Sequence, residues 1–327
     1  MVSRVGLVLG GGGITGASYE MAALMAIELA TGWDPDSAEV VIGTSSGSFV
    51  TALVRHQALS LDSLVRPDDE RADVTERIRS HVYAKGGGVT VGDWVKHGIV
   101  PGVRRPGLTM FLGSPAPYHA GGLAGWVENQ IGVEAARSWP SRSTAIVAHD
   151  LRSANRVVFG TASAPEVGLA DAVAASSAIP ILFRPFSIDG DPYVDGGVSS
   201  GTHADLVLAS PEPLDLVLIL APLAAEVQRK RARFHEKMFD RVGTRSLQEE
   251  INLITEAWPH CDVVVLSPSP SVQNAARPNP MDPSKSVPTF MRTLIAMKRT
   301  LASPEVWSTL DDHLIVKKRT RTRTAAR

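Results

Sequence analysis

Three short clusters in this 327-residue chain carry residue types that can do chemistry. The first is Gly43-Thr44-Ser45-Ser46-Gly47, a G-x-S-x-G pattern. A nucleophilic serine must stand on a sharp turn with its hydroxyl exposed, and flanking glycines remove side chains that would clash there. Ser45 holds the centre and is the expected nucleophile; Ser46 and Ser48 do not. The second cluster is Gly10-Gly11-Gly12-Gly13, with Gly16 just beyond. Consecutive backbone N–H groups at a helix start bind anions, either a phosphate or a tetrahedral oxyanion. The third is Asp195-Gly196-Gly197, which taken alone is an ordinary aspartate–glycine turn.

The glycine cluster has rival readings. Gly11, Gly13 and Gly16 fit G-x-G-x-x-G, the dinucleotide fingerprint. That site needs a carboxylate at the end of the second strand, about 20 residues on, to hold a ribose. Here the second strand runs into Gly43-Thr44-Ser45, while Asp34 and Asp36 come before it and are poorly placed. A plainer reading is a turn whose glycines only allow close strand–helix packing. The loop by itself does not choose.

A serine nucleophile also needs a base. Where that base is a histidine in the order Ser…Asp…His, the candidates are His149, His203, His235, His260 and His313. None sits in a distinctive loop after a late strand.

These clusters must be held by regular elements. Residues 4–9 form a short apolar run closed by glycines, a buried strand. Residues 17–30 carry helical spacing, 39–42 read as a second strand, and 48–56 begin a second helix. Strand, glycine loop and helix thus occur twice, which predicts parallel strands with crossover helices in an α/β layered sheet. Further strands are expected at 144–149, 156–159, 214–220 and 262–266. Further helices are expected at 165–177, 225–258 (broken near Gly243) and 289–301. Residues 268–288 read as an irregular proline-rich connector. The stretch from about 60 to 140 is too long for a bare loop and must contain helix. It is read as a cap-like insertion, either packed on the core or building an acyl pocket.

With all three clusters in view, the chain resembles the patatin-like phospholipases. Those are recognised by a glycine-rich oxyanion loop, a G-x-S-x-G elbow near the N-terminus and a later D-G-G. Here they are Gly11-Gly12-Gly13-Ile14-Thr15-Gly16, Gly43-Thr44-Ser45-Ser46-Gly47 and Asp195-Gly196-Gly197, in that order. Ala175-Ser176-Ser177-Ala178-Ile179-Pro180, followed by Phe183 and Pro185, is similar to the family's approach to D-G-G. The likeness covers about residues 4–210. It implies a three-layer α/β/α fold with a mostly parallel sheet, and a Ser45–Asp195 dyad with no histidine. It further implies an oxyanion hole from the N–H groups of Gly11, Gly12 and Gly13, with Gly43, Gly47, Gly196 and Gly197 as motif support. The implied reaction is lipid acyl hydrolysis through an acyl-enzyme, with no cofactor or metal. Acyl transfer and non-lipid ester cleavage are alternatives on the same dyad, and a dinucleotide-binding or catalytically silent scaffold is a rival from another class. One departure concerns substrate: Thr15 stands where the family usually places Arg or Lys.

Composition bounds the rest. With 44% hydrophobic and 20% charged residues, the chain can fill a sizeable core. A formal net charge of -1 gives no reason to expect nucleic acid. The single Cys261 excludes an internal disulfide and points to a reducing compartment. No apolar run nears 18 residues, so the expectation is a cytoplasmic protein, at most peripheral to membranes. Basic residues at 229–245 and in the tail from 317 are candidates for contact with an anionic surface. The expected partner is a lipid or acyl-ester substrate, and oligomeric state is not read. Domain organisation is read as one catalytic domain over 1–310 and a basic tail over 311–327.

Overall fold

The β1 strand, Val5–Leu9, is buried along its whole length, as is Leu216–Leu220 later in the chain. Such uninterrupted apolar strands belong to parallel sheets covered on both faces. The computed structural model describes residues 3–60, 70–85, 116–180, 182–224 and 234–315, by backbone alone at 71 and 234–245. After β1 come α1 (Gly13–Thr31), β2 (Val40–Thr44) and α2 (Ser46–Arg55), then α3 (Arg71–Val82), α4 (Gly121–Ile131) and α5 (Val133–Arg137). The β3 (Ser143–Asp150) and β4 (Asn155–Phe159) strands, α6 (Leu169–Ser176), β5 (Phe186–Ile188) and β6 (Asp191–Asp195) follow. The chain continues through β7 (Leu216–Leu220), α7 (Phe234–Ala257), β8 (Asp262–Leu266), α8 (Pro270–Ala276), α9 (Ser286–Leu301) and α10 (Pro304–Leu314).

The eight strands form one sheet in the order β5-β6-β3-β2-β1-β7-β8, with β4 also on β3. Pairing is parallel from β3 through β2, β1 and β7 to β8, and antiparallel at β4, β5 and β6. Alternate strand residues face opposite layers. Leu7 and Leu9 join the core under α1, α2, α6 and α9. Val8 and Ile42 join a second core, closed by Leu247 and Ile254 of α7 and by Ala204 and Val207. The result is helix on both faces of a mostly parallel sheet, as expected.

Several boundaries differ from the expectation. Helix α1 starts at Gly13 and not at 17, so the glycine run narrows to a three-residue turn with the rest already helical. Helix α7 runs unbroken through Gly243; an isolated helical glycine costs only about 1 kcal/mol relative to alanine. The connector 268–288 is not irregular: it holds α8 and a 3-10 turn at Pro283–Lys285, each with proline at its start, where the missing N–H is harmless. Helix α10 was not foreseen, and its buried Leu310 and Leu314 carry the packed chain past residue 310.

In the 60–140 stretch the described helices are α3, α4 and α5. Val74, Ile78, Val82, Leu123, Trp126 and Val127 bury themselves in the main core. Residues 61–69 and 86–115 of that stretch, the basic side chains at 229–245 and the tail from 316 lie outside the described residues. Among the described residues, no helix is long and apolar enough to cross a membrane.

Candidate active site

Strand register explains how Ser45 and Asp195, 150 positions apart, come together. The β4 strand occupies one edge of β3 from Ile146 to Asp150. On the other edge β2 pairs with residues 143–147 and β6 with 148–150. Because β2 runs parallel to β3 and β6 antiparallel, their C-terminal ends meet head to head. Thr44 lies opposite Val147, and Asp195 lies opposite the next residue, Ala148. One step beyond Thr44 is Ser45, whose hydroxyl donates to Asp195 Oδ2 at 2.6 Å.

Local backbone geometry fits this meeting point. Ser45 has φ 54° and ψ −121°, a strained conformation for a non-glycine residue. Such strain costs about 1–3 kcal/mol and persists only where the surroundings impose it. They do so through hydrogen bonds. The Ser45 N–H donates to Ser176 Oγ at 2.9 Å, and Ser176 Oγ donates in turn to the Val147 carbonyl at 2.6 Å. The Ser45 carbonyl accepts from Ser48 Oγ at 2.5 Å and from Ser177 Oγ at 3.1 Å. Glycine is needed at two crossings. A Cβ on Gly47 would stand 2.1 Å from the Leu9 carbonyl oxygen, and one on Gly196 would stand 2.3 Å from that of Val147.

Asp195 is only 4% exposed and Ser45 5%. Burial pushes the Asp195 carboxyl up to about 6, although the Ser45 hydroxyl and the Gly197 N–H both favour its charged form. The Gly197 N–H donates to Oδ1 at 2.7 Å, which turns Oδ2 toward the serine. A carboxylate so raised can take a proton from a hydroxyl far better than an exposed aspartate.

The glycine loop ends beside this pair, and a Cβ on Gly11 would lie 3.2 Å from Ser45 Cβ. The three expected oxyanion donors are not equivalent. Gly11 N–H already donates to the Gly201 carbonyl at 2.8 Å. Gly12 and Gly13 N–H have no such partner among the described residues, and they stand at the positive end of α1. Thr15 is buried, and its N–H donates to the Pro280 carbonyl at 3.0 Å. Asp34 and Asp36 lie before β2, at the opposite end of the parallel strands from the glycine loop. Asp36 pairs with Arg55 at 3.3 Å and Asp34 caps a 3-10 turn, so neither reaches a ribose held at the loop.

The histidines have other roles. His203 is buried behind the elbow with Nδ1 3.1 Å from Thr44 Oγ1, and burial, with nearby Arg156, drives its pKa down to about 3. His149 contacts Ser199 Oγ at 2.8 Å, and burial lowers its pKa too. His313 bridges Ser3 and Asp262 near β8. His260 lies in the turn before β8, and the His235 side chain is outside the described residues.

From Ser45 a mostly apolar pocket runs between α1, α2, α3 and α4. Met21, Phe49, Ile78, Val82, Leu123 and Trp126 line it, and Met281 stands by its Gly13 end. Sequence reasoning missed Ser176 and Ser177 as supports of the elbow, although both lie in the 175–180 segment that resembles the family. It also missed Met281, which no local signal marks.

The patatin-like phospholipase family model matches residues 7–208, more than half of the chain. No curated protein matches. Among solved structures, VipD from Legionella pneumophila is similar at 13% identity and TM-score 0.37, covering 97% of this chain and 72% of that one. Human GIVD cytosolic phospholipase A2, in complex with methyl gamma-linolenyl fluorophosphonate, is similar at 12% identity and TM-score 0.42, covering 95% and 60%. The type III effector protein ExoU is similar at 14% identity and TM-score 0.35, covering 91% and 53%. The family match spans the glycine loop, the serine elbow and the Asp-Gly-Gly turn together, and the chain belongs to the patatin-like phospholipase family.

Proposed function

We propose that this lipid hydrolase works through a Ser45–Asp195 dyad and an acyl-enzyme. The reading rests on one observation above all: the 2.6 Å hydrogen bond from Ser45 Oγ to a buried carboxylate at the head of an apolar pocket. Ser45 Oγ attacks the ester carbonyl while Asp195 Oδ2 takes its proton. The tetrahedral oxyanion is held by Gly12 and Gly13 N–H at the α1 N-terminus, with Gly11 holding the loop in place. Asp195 then protonates the departing alcohol, and the acyl group stays on Ser45. In the second half Asp195 removes a proton from water, which attacks the acyl-enzyme, and Ser45 recovers its proton as the fatty acid leaves.

The acyl chain lies in the pocket, whose lining is mostly apolar, and the head group stays at the mouth. The substrate class is therefore a single-chain or accessible acyl ester at a lipid surface, met by a peripheral protein. The catalytic unit is one domain that includes α10. Fluorophosphonate labelling tests the proposal: wild type is expected to label stoichiometrically, Ser45→Ala not at all. Labelling that survives Ser45→Ala would sink the nucleophile. Turnover that survives Asp195→Asn but is lost in a His→Ala variant would sink the base.

A further inference from the structure

Glu250 lies on α7, on the face of the sheet opposite the acyl pocket, and none of the family's motifs includes it. Its side chain is nonetheless buried, and both carboxylate oxygens are used. Ser200 Oγ donates to Oε1 at 2.5 Å; Thr202 Oγ1 and Ala204 N–H donate to Oε2 at 2.6 and 2.8 Å. All three donors belong to the segment that leaves the Asp195-Gly196-Gly197 turn. Ser200 Oγ also accepts from Thr202 and His203 N–H, each at 3.3 Å, so the segment wraps around a single carboxylate.

That segment touches every part of the proposed machinery. Its first residues carry Asp195 and the Gly197 N–H that orients it. Gly201, between two of the tethered residues, offers its carbonyl to Gly11 N–H at 2.8 Å. The Gly10 backbone packs against Gly201 O and Thr202 Cγ2, at 3.0 and 3.2 Å from the position of a Cβ. His203 Nδ1 meets Thr44 Oγ1, one residue before the nucleophile.

We infer that Glu250 is a positioning residue that sets the glycine loop against Ser45 and Asp195, acting through residues 200–204 and the Gly201–Gly11 hydrogen bond. The inference rests on the dyad reading above. A carboxylate suits the task because it accepts several hydrogen bonds at once, and charge-assisted bonds are the stronger kind. Three donors hold it as an acceptor against the burial that pushes its pKa up. Catalytic donors misplaced by about 1 Å can cost on the order of 10²-fold in rate, so a tether behind the loop can matter without touching substrate.

The test pairs amide hydrogen exchange with fluorophosphonate labelling in the full chain. In Glu250→Ala, exchange at residues 10–13 is expected to quicken at least about tenfold, and the labelling rate to fall about 10- to 100-fold. KM for a p-nitrophenyl ester should stay within about twofold, since the pocket is on the other face. Glu250→Gln keeps an acceptor and should recover most of the rate. Thr202→Val, which removes a single donor, should shift both readouts in the same direction but less, and it serves if Glu250→Ala does not fold. Unchanged exchange at 10–13 in a folded variant overturns the inference whatever happens to activity. A wild-type protein that fails to label overturns the dyad reading instead, and leaves the exchange result to judge Glu250.

Discussion

In the proposed dyad Asp195 is the base, and its environment makes two predictions. A base must be deprotonated to accept the serine proton, and this one is pushed up to about 6. The kcat/KM of the wild type should therefore be flat above about pH 7 and fall about tenfold per unit below pH 6. A flat profile down to pH 4 would mean that another group is the base. The same shift acts on stability with the opposite sense. The folded-state pKa lies above that of an ordinary aspartate. This carboxyl therefore favours the fold in acid, and its contribution is lost as pH rises through about 6. In Asp195→Asn the penalty disappears, so the variant should gain about 2–3 kcal/mol over wild type between pH 4 and pH 8, measured by denaturant unfolding, while losing turnover. His203 shows the contrast, since its fall to about 3 leaves it neutral and too weak a base to replace Asp195.

At the scale of elements, the site is a product of strand ends. The β2 and β6 strands approach along one edge of β3 and stop one residue apart, and the serines at the end of α6 fix the elbow between them. Ser176→Ala removes the acceptor for Ser45 N–H and the donor to Val147 O, leaving two buried backbone groups unpaired. The expected loss is about 2–3 kcal/mol of stability, with a drop in labelling rate larger than the fall in folded fraction. If labelling tracks folded protein alone, Ser176 supports the fold and not the elbow. Gly47→Ala should be harsher, because the new methyl would meet the Leu9 carbonyl and not a side chain that could rotate away. About 3 kcal/mol and complete loss of labelling are expected, read by thermal unfolding and by the probe.

On the scale of the whole molecule, the described helices of the 60–140 stretch pack into the core. Helices α3 and α4 wall the pocket with Ile78, Val82, Leu123 and Trp126, and Trp126 packs on Phe49 of α2 with ring centroids 4.7 Å apart. On the proposed reading, chain-length preference resides in these pocket residues, which the family motifs do not include. Val82→Phe should fill the pocket: kcat/KM for p-nitrophenyl dodecanoate is expected to fall at least about tenfold, with the butyrate nearly unchanged. Equal losses on both esters would place the acyl chain elsewhere.

The sequence alone determined the local devices, because each depends on a few adjacent residues. A serine between glycines after an apolar strand, a glycine run before a helix and an alternating strand–helix order can all be read within a short window. The apolar run at 4–9 likewise read as a buried strand, and Val5–Leu9 is buried along its whole length. Asp195 was legible only by resemblance, since an Asp-Gly-Gly turn has no local mark of reactivity. Helices α8 and α10 were missed, the first because its prolines read as breaks and not as helix starts. What only the tertiary structure decided were relations across the chain: that β2 and β6 meet head to head, that Gly11 N–H is bound to Gly201 while Gly12 and Gly13 N–H have no such partner among the described residues, and that Glu250 holds Ser200, Thr202 and Ala204. The physical reason is shared. The pKa of Asp195, the strain at Ser45 and the reach of Glu250 come from burial and hydrogen bonds made by residues far away in sequence, and no window of local sequence contains them.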